Sequence, residues 1–135
     1  MLDETVKNMT FVDPKTKEVL TKTDVGYTRS DGVTYPVIDG IPCFISENIS
    51  HESEAQRKHY DKVAKTYQKN LLYPHTRAYT EYLDNELREI ATKKPFGFTA
   101  ELCCGTGESF KLFPEITNGV GVDISHAMLV QALKE

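Results

Sequence analysis

The chain has 135 residues, of which 39% are hydrophobic and 27% charged, a balance typical of a folded domain rather than a disordered chain. A formal net charge of −4 argues against nucleic-acid binding through a broadly basic surface, and no run of 18 apolar residues predicts a membrane span. Neither the three cysteines nor the four histidines have metal-ligand spacing. We therefore expect no disulfide framework, no structural metal and a reduced, cytoplasmic setting.

Residues 1–47 are predicted to form a small β-rich module. Residues 10–12 and 19–20 have strand-like composition, with a turn at Asp13-Pro14-Lys15 between them. Two further β-rich runs flank Ser30-Asp31-Gly32, and an Asp-Gly pair in this position predicts a hairpin with a type I′ turn.

The same module is predicted to continue through a second turn at Asp39-Gly40 into a strand over residues 41–45. Pro36 and Pro42 carry no backbone N–H, so their strands are expected at sheet edges or bulges.

Residues 35–42 (YPVIDGIP) resemble the YPI-DGIP signature of the small zinc-ribbon-like activator proteins of RNA and protein methyltransferases. The same ribbon is found fused ahead of some bacterial methyltransferase domains. Zinc-bearing members carry CxxC pairs before the signature, whereas residues 15–17 (KTK) and 22–24 (KTD) occupy that region here. The resemblance thus implies the ribbon fold without zinc, and a plain β-meander with two turns is the alternative.

Two helices are predicted to follow. The first spans residues 50–70, with a capping box from Ser53 to Gln56; its apolar face comprises Tyr60, Val63, Ala64 and Tyr67. The second spans residues 76–92 and ends before Pro95; its apolar face comprises Tyr79, Leu83, Leu87 and Ile90.

Residues 59–67 (HYDKVAKTY) resemble the YDxVAxxY segment that precedes the core of many methyltransferases. In that family the segment lies over the cofactor, which implies that Tyr60 and Tyr67 are cofactor-binding residues. The alternative is that both tyrosines belong to a simple core stripe.

Residues 99–109 (TAELCCGTGES) contain a short strand followed by a glycine-rich turn. Residues 119–125 (GVGVDIS) contain a second short strand that ends in Asp123. The order of strand, glycine turn, helix, strand and acid predicts the start of a nucleotide-binding α/β unit. A dinucleotide site prefers G-x-G-x-x-G, which this turn matches only at Gly105. The spacing acid-x-G-x-G-x-G is matched by Glu101, Gly105 and Gly107 but not by Cys103.

The second spacing resembles the first motif of class I S-adenosylmethionine-dependent methyltransferases, and Asp123 matches their second motif. The resemblance implies a Rossmann-like, doubly wound α/β fold that binds S-adenosylmethionine. The expected cofactor-binding residues are Glu101, Cys103, Gly105, Thr106, Gly107, Asp123, Ile124, Tyr60 and Tyr67. No catalytic residue and no methyl acceptor can be assigned.

Each residue type has a physical reason to be in this pattern. Gly105 and Gly107 allow close approach of the backbone, and the next helix directs N-terminal amides at the turn, where a carboxylate such as the methionine tail can bind. Asp123 can accept both ribose hydroxyls, and the family resemblance directs Glu101 toward the methionine amino group. Cys103 is expected to narrow the pocket floor, and Cys103 and Cys104 are expected to be buried small hydrophobes rather than reactive thiols.

The chain supplies only two parallel strands before a helix that Ser125 can cap. We expect three parts: the ribbon at 1–47, a helical lead-in at 48–95 and the first β-α-β part of an incomplete methyltransferase sheet at 96–135. The strand at residues 98–103 is expected to be the buried centre of a sheet with an open edge, through which a homodimer could form. The alternative function is a non-enzymatic module that self-associates or binds a partner chain.

Overall fold

A computed structural model describes residues 9–45 and 48–134 and has a mixed α/β architecture. The chain divides into two compact units, Met1–His51 and Glu52–Glu135. The predicted boundary between residues 47 and 48 lies next to residues 46 and 47, which are outside the described ranges. The division into ribbon, helical lead-in and β-α-β part remains a prediction. None of the helices in the described ranges has the length and apolar character needed to cross a membrane.

The first unit contains a four-stranded antiparallel sheet in the order β1-β2-β3-β4. The strands are β1 (Thr21–Thr23), β2 (Gly26–Thr28), β3 (Thr34–Ile38) and β4 (Ile41–Pro42). Residues 12 and 19 form an isolated antiparallel bridge ahead of the sheet, so the two earliest predicted strands pair with each other. The predicted hairpin between β2 and β3 is confirmed, with Tyr27 opposite Tyr35.

The turn types differ from the prediction. The β2–β3 connection is a three-residue loop in which Arg29 N–H donates to the Val33 carbonyl (2.8 Å) and Gly32 N–H donates to the Arg29 carbonyl (3.0 Å). Only Gly32 (φ 92°) has positive φ in this loop, as in a type I turn closed by a glycine bulge. The type I′ torsions occur instead at Asp39 (φ 50°) and Gly40 (φ 80°), where β3 turns into β4.

The expectation that both proline-bearing strands lie at edges or bulges is wrong for β3, which lies between β2 and β4 in unbroken register. The Pro36 carbonyl accepts from Cys43 N–H (2.9 Å). The nitrogen and the carbonyl of Pro36 therefore both point toward β4, near the residue at which β4 ends. Pro36 lies opposite Cys43, just past the end of β4, so the proline removes one donor at the end of the β3–β4 ladder and leaves the bond from Cys43 N–H to its carbonyl intact.

Asp13 is the buried anchor of this unit and has no exposed surface. Its Oδ1 accepts hydrogen bonds from the amides of Lys15 (2.8 Å) and Thr16 (2.7 Å). Its Oδ2 accepts from the Tyr35 hydroxyl (2.7 Å) and from Arg29 Nη1 (3.3 Å). The Thr16 amide foremost, and then the Tyr35 hydroxyl, hold the pKa of Asp13 well below its ordinary value.

Rings from separate segments pack around this anchor. Phe44 lies 5.2 Å from Phe11 and 5.4 Å from Tyr35 between ring centroids, and Phe11 meets Tyr27 edge-on at 4.7 Å. Within residues 9–45 and 48–134 there is no group of three or more potential metal ligands. The expected absence of zinc from the ribbon remains a prediction.

The second unit begins with two helices, α1 (His51–Leu71) and α2 (Pro74–Ala91). Both were predicted, but α1 begins before Ser53, so the proposed capping box lies inside the first turn and is wrong. Acidic Glu52 and Glu54 instead complement the helix dipole there. The predicted apolar face of α2 is not buried: Tyr79 is 63% and Ile90 61% exposed.

The remainder of this unit is β5 (Thr99–Leu102), α3 (Glu108–Leu112), β6 (Gly119–Val122) and α4 (His126–Ala132). β5 and β6 pair in parallel with Glu101 opposite Gly121, as the predicted β-α-β order requires. The expectation that β5 is a buried central strand is wrong. Its side chains alternate between half-buried and exposed, with Leu102 75% exposed, because β6 is its only strand neighbour among the described residues.

Candidate functional site

The glycine turn follows β5 and carries three residues with positive φ: Cys103 (56°), Gly105 (52°) and Gly107 (79°). Gly107 N–H donates to the Cys104 carbonyl (2.7 Å), and Cys104 N–H donates to the Val122 carbonyl (3.0 Å). The turn is therefore held tightly against the carboxyl end of β6.

Glycine suits the left-handed torsions at both Gly105 and Gly107, and Gly105 has a tight contact besides. A Cβ at Gly105 would lie 3.3 Å from the terminal methyl of Met128, which is almost fully buried. A Cβ at Gly107 would meet only Ala132 at an ordinary 3.9 Å, so the left-handed torsion is what favours glycine there. Gly107 itself is partly exposed.

Asp123 links the two motifs that the sequence singled out. Its Oδ2 accepts from Gly105 N–H (2.9 Å) and its Oδ1 accepts from Ser125 N–H (2.8 Å). A carboxylate offers about four acceptor positions, so each oxygen retains about one for a ligand hydroxyl. The acid after β6 thus fixes the turn after β5 and still has capacity to bind.

Glu101 lies at the base of the turn, in β5. Its Oε1 accepts from the Ser109 hydroxyl (2.7 Å), which ties the strand to α3. Its Oε2 is buried and has no hydrogen-bond partner among the residues described. A buried carboxylate oxygen without a donor is costly, and a ligand donor would satisfy it.

The Thr106 side chain is directed into the protein. It is 1% exposed, and its hydroxyl donates to Glu108 Oε1 (2.5 Å), which also receives Lys111 Nζ (3.0 Å). Both the side chain and the backbone of Thr106 are therefore shielded from solvent. Helix α3 has five residues, so the expected anion site at its N-terminus has little helix dipole behind it.

The two cysteines differ, although both were expected to be buried. Cys104 is buried, and burial foremost, with Asp123 and Glu101 adding, raises the pKa of its thiol to about 11. Cys104 is therefore a neutral thiol at pH 7 and not a nucleophile. Cys103 is exposed and has a positive φ, so the expectation that it is buried is wrong.

Helix α1 contacts the Asp123 loop through Asp61. Its Oδ1 accepts from the Ser125 hydroxyl (2.7 Å) and from Ala127 N–H (3.2 Å). The Ser125 hydroxyl also accepts from Met128 N–H (3.2 Å), as predicted for the cap of α4. Ser125 is fully buried, whereas the Asp61 side chain is 32% exposed.

The predicted tyrosines lie on the same helix. Tyr60 and Tyr67 meet edge to face with ring centroids 6.5 Å apart. Burial raises the pKa of Tyr67, and nearby Tyr60, Glu108 and Asp123 raise it further. The Tyr67 hydroxyl thus lies in the field of the site carboxylates.

Sequence reasoning did not select Asp61 or Ser109 as site residues. Asp61 belongs to the quoted tyrosine-rich segment, but nothing in helical periodicity indicates which distant amides an acid will cap. Ile124, which was selected, is half-buried between Asp123 and Ser125. Comparisons with models of known protein families, with curated proteins and with solved structures give no significant match for this chain.

Proposed function

We propose that this chain is the cofactor-binding part of a class I S-adenosylmethionine-dependent methyltransferase with a Rossmann-like sheet. The observation that carries the proposal is the hydrogen bond from Gly105 N–H to Asp123. It joins a glycine turn and an acid at the adjacent carboxyl ends of two parallel strands. Ligands of open α/β sheets bind at this edge.

The donor and acceptor set suits the cofactor. Asp123 retains acceptor positions for the ribose hydroxyls, and the unpartnered Glu101 Oε2 is suited to the ammonium group of the methionine moiety. Gly107 is partly exposed, and the Tyr67 hydroxyl lies in the field of Asp123. Bound S-adenosylmethionine supplies a methyl group already activated on a sulfonium, so the protein's main task is to bind and orient.

A dinucleotide site is less well supported. The position of its third glycine is taken by Glu108, whose carboxylate is engaged by Thr106 and Lys111. An acid at this point of the turn would repel a pyrophosphate.

For the first unit we propose a zinc-less ribbon of the methyltransferase-activator kind. The type I′ turn at Asp39-Gly40 joins β3 to β4 within the resembling segment. Asp13, which binds Arg29 and Tyr35 from the following hairpin, supplies a cross-link where zinc-bearing ribbons use metal.

The second candidate function is a non-enzymatic module that self-associates or binds a partner. The exposed apolar side chains of the second unit favour it, since Leu102 is 75%, Ile90 61% and Phe98 57% exposed. Exposed apolar side chains are typical of interaction sites where they form a contiguous patch.

Calorimetric titration with S-adenosylhomocysteine tests the proposed function. Asp123→Ala should weaken binding by about 1.5–3 kcal/mol, the scale of hydrogen bonds to a charged group. Asp123→Asn, which keeps one acceptor oxygen, should lose less, and Glu115→Ala, an exposed acid of the same unit, should bind like the parent. Equal affinity of the parent and Asp123→Ala would refute the assignment, and tighter binding of NADH would favour a dinucleotide site.

A further inference from the structure

We propose that Asp61 is a positioning residue for the Asp123 carboxylate, acting through Ser125. The inference rests on the proposed function of Asp123 as a ligand-binding group. It assigns to α1 a role in ordering the site that is separate from any contact of its tyrosines.

The Ser125 hydroxyl has no further proton to donate to another group. The single hydroxyl proton is donated to Asp61 Oδ1 (2.7 Å), while the oxygen accepts from Met128 N–H (3.2 Å). Asp61 Oδ1 also receives Ala127 N–H (3.2 Å). One oxygen of Asp61 therefore fixes both the side chain of the cap residue and the first turn of α4.

The backbone of Ser125 connects the Asp61 contact to the candidate site. Ser125 N–H donates to Asp123 Oδ1, and Gly105 N–H donates to Asp123 Oδ2. Asp61, Ser125, Asp123 and Gly105 form a continuous series of hydrogen bonds from α1 to the glycine turn. If Ser125 shifts, Asp123 loses one of the two donors that set its orientation.

A cation of the same helix, Arg57, lies beside Asp61. Arg57 Nη1 lies 3.9 Å from Asp61 Oδ2, and Arg57 is fixed by two hydrogen bonds to Glu54 (2.8 and 2.7 Å). The Oδ2 side thus faces a cation and the Oδ1 side faces two donors. This division predicts that an amide at position 61 can keep the Oδ1 contacts while losing only the long ion pair.

The consequence is preorganisation. A carboxylate already held in its binding orientation loses less conformational entropy when a ligand binds, and the ligand therefore binds more tightly. Removing the Asp61 link should loosen Ser125 and Asp123 in the free protein and weaken ligand binding, although Asp61 itself needs no ligand contact.

The experiment compares Asp61→Ala, Asp61→Asn and the control Glu54→Gln, which weakens the ion pairs of α1 without touching α4. The two readouts are calorimetric affinity for S-adenosylhomocysteine and amide hydrogen exchange at Gly105 and Ser125 in the ligand-free protein. We expect Asp61→Ala to weaken binding about tenfold, the effect of about one lost hydrogen bond, and to speed exchange at both amides. Asp61→Asn should stay within about threefold of the parent, and Glu54→Gln should match the parent.

Parent-like affinity and exchange in Asp61→Ala would overturn the proposal. So would an Asp61→Asn variant as weak as Asp61→Ala, because charge rather than the Oδ1 contacts would then matter. If the parent binds no adenosyl ligand, the proposed function fails, and the exchange at Gly105 and Ser125 alone decides whether Asp61 orders the loop. If Asp61→Ala does not fold, Ser125→Ala takes its place, because it removes the hydroxyl that Asp61 binds. Faster exchange at Gly105 in Ser125→Ala would then support the proposal, and parent-like exchange would overturn it.

Discussion

The thiol of Cys104 packs against the backbone of Gly121 so closely that a Cβ at Gly121 would lie 2.8 Å from Sγ. Gly121 lies in β6 opposite Glu101 of β5. The start of the glycine turn is thereby packed onto the neighbouring strand, and this contact places the turn at the carboxyl end of both strands.

We predict that Gly121→Ala destabilises the second unit by about 1–3 kcal/mol, since a Cβ overpacks this contact. Gly97→Ala is the matched control, because a Cβ there meets no atom within 4 Å, and it should be nearly neutral. Urea denaturation measures both. Adding Cys104→Ala to Gly121→Ala should recover part of the loss, and no recovery would show that the clash has another source.

The backbone at Cys103 gives a second prediction. An L-residue at φ 56° is disfavoured by about 1–2 kcal/mol, while glycine is free to adopt this torsion but loses more entropy on folding. Cys103→Gly should therefore raise the free energy of unfolding by about 0.5–1 kcal/mol. Cys103→Ala keeps the strain and should bring no gain; equal effects of the two variants in urea denaturation would contradict this explanation.

The Asp13 anchor predicts a pH dependence for the first unit. The pKa of Asp13 is lowered in the folded state from an unfolded value of about 3.9. Its stabilising contribution is then fully present above about pH 4 and is lost as pH falls from there toward the folded pKa. We expect the urea midpoint, followed by the ring NMR signals of Tyr35, to fall as the pH is lowered from about 4 to about 2.5.

Asp13→Asn provides the comparison. This variant should have a lower midpoint than the parent at pH 5 and a flatter pH dependence below it, since the group that titrates is gone. An unchanged slope in Asp13→Asn would mean that Asp31, whose pKa Arg29 also lowers, carries the acid sensitivity.

Among residues 9–45 and 48–134, β5 has a strand neighbour on one side alone, and its open side predicts self-association. Backbone groups on an unpaired strand edge attract another strand, and exposed Leu102 and Phe98 add apolar surface beside it. Sedimentation at micromolar concentration should show dimers or larger species. Leu102→Lys should shift the population to monomer, whereas Val25→Lys, at a 69% exposed position of the first unit, should not. A parent that is a stable monomer would refute this prediction.

The sequence predicted the elements whose signals are local. The Asp-Gly turns, the strands around them, both long helices and the parallel β5–β6 pair follow from turn chemistry and periodicity over a few residues. The turn type at Asp31-Gly32 was wrong because loop length depends on strand register. The exposed face of α2 was not foreseen, since periodicity identifies an apolar face but not whether it has a partner.

In the candidate site, too, the local features were predicted and the contacts between distant residues were not. Gly105, Gly107 and Asp123 stand out by spacing, and the structure brings Asp123 against Gly105. The hydrogen bonds from Ser125 and Ala127 to Asp61 join residues 64 and 66 positions apart, and no local pattern records such a contact. The positive φ of Cys103 is one that residue type alone would disfavour.

The most direct test of the central claim is an NMR titration of the ligand-free chain with S-adenosylhomocysteine, followed at the backbone amides of Gly105, Gly107 and Ser125. The account predicts saturable shifts at these amides, abolished in Asp123→Ala, with NADH binding more weakly. No shift at about 1 mM ligand, or shifts confined to residues outside the turn and the Asp123 loop, would contradict it.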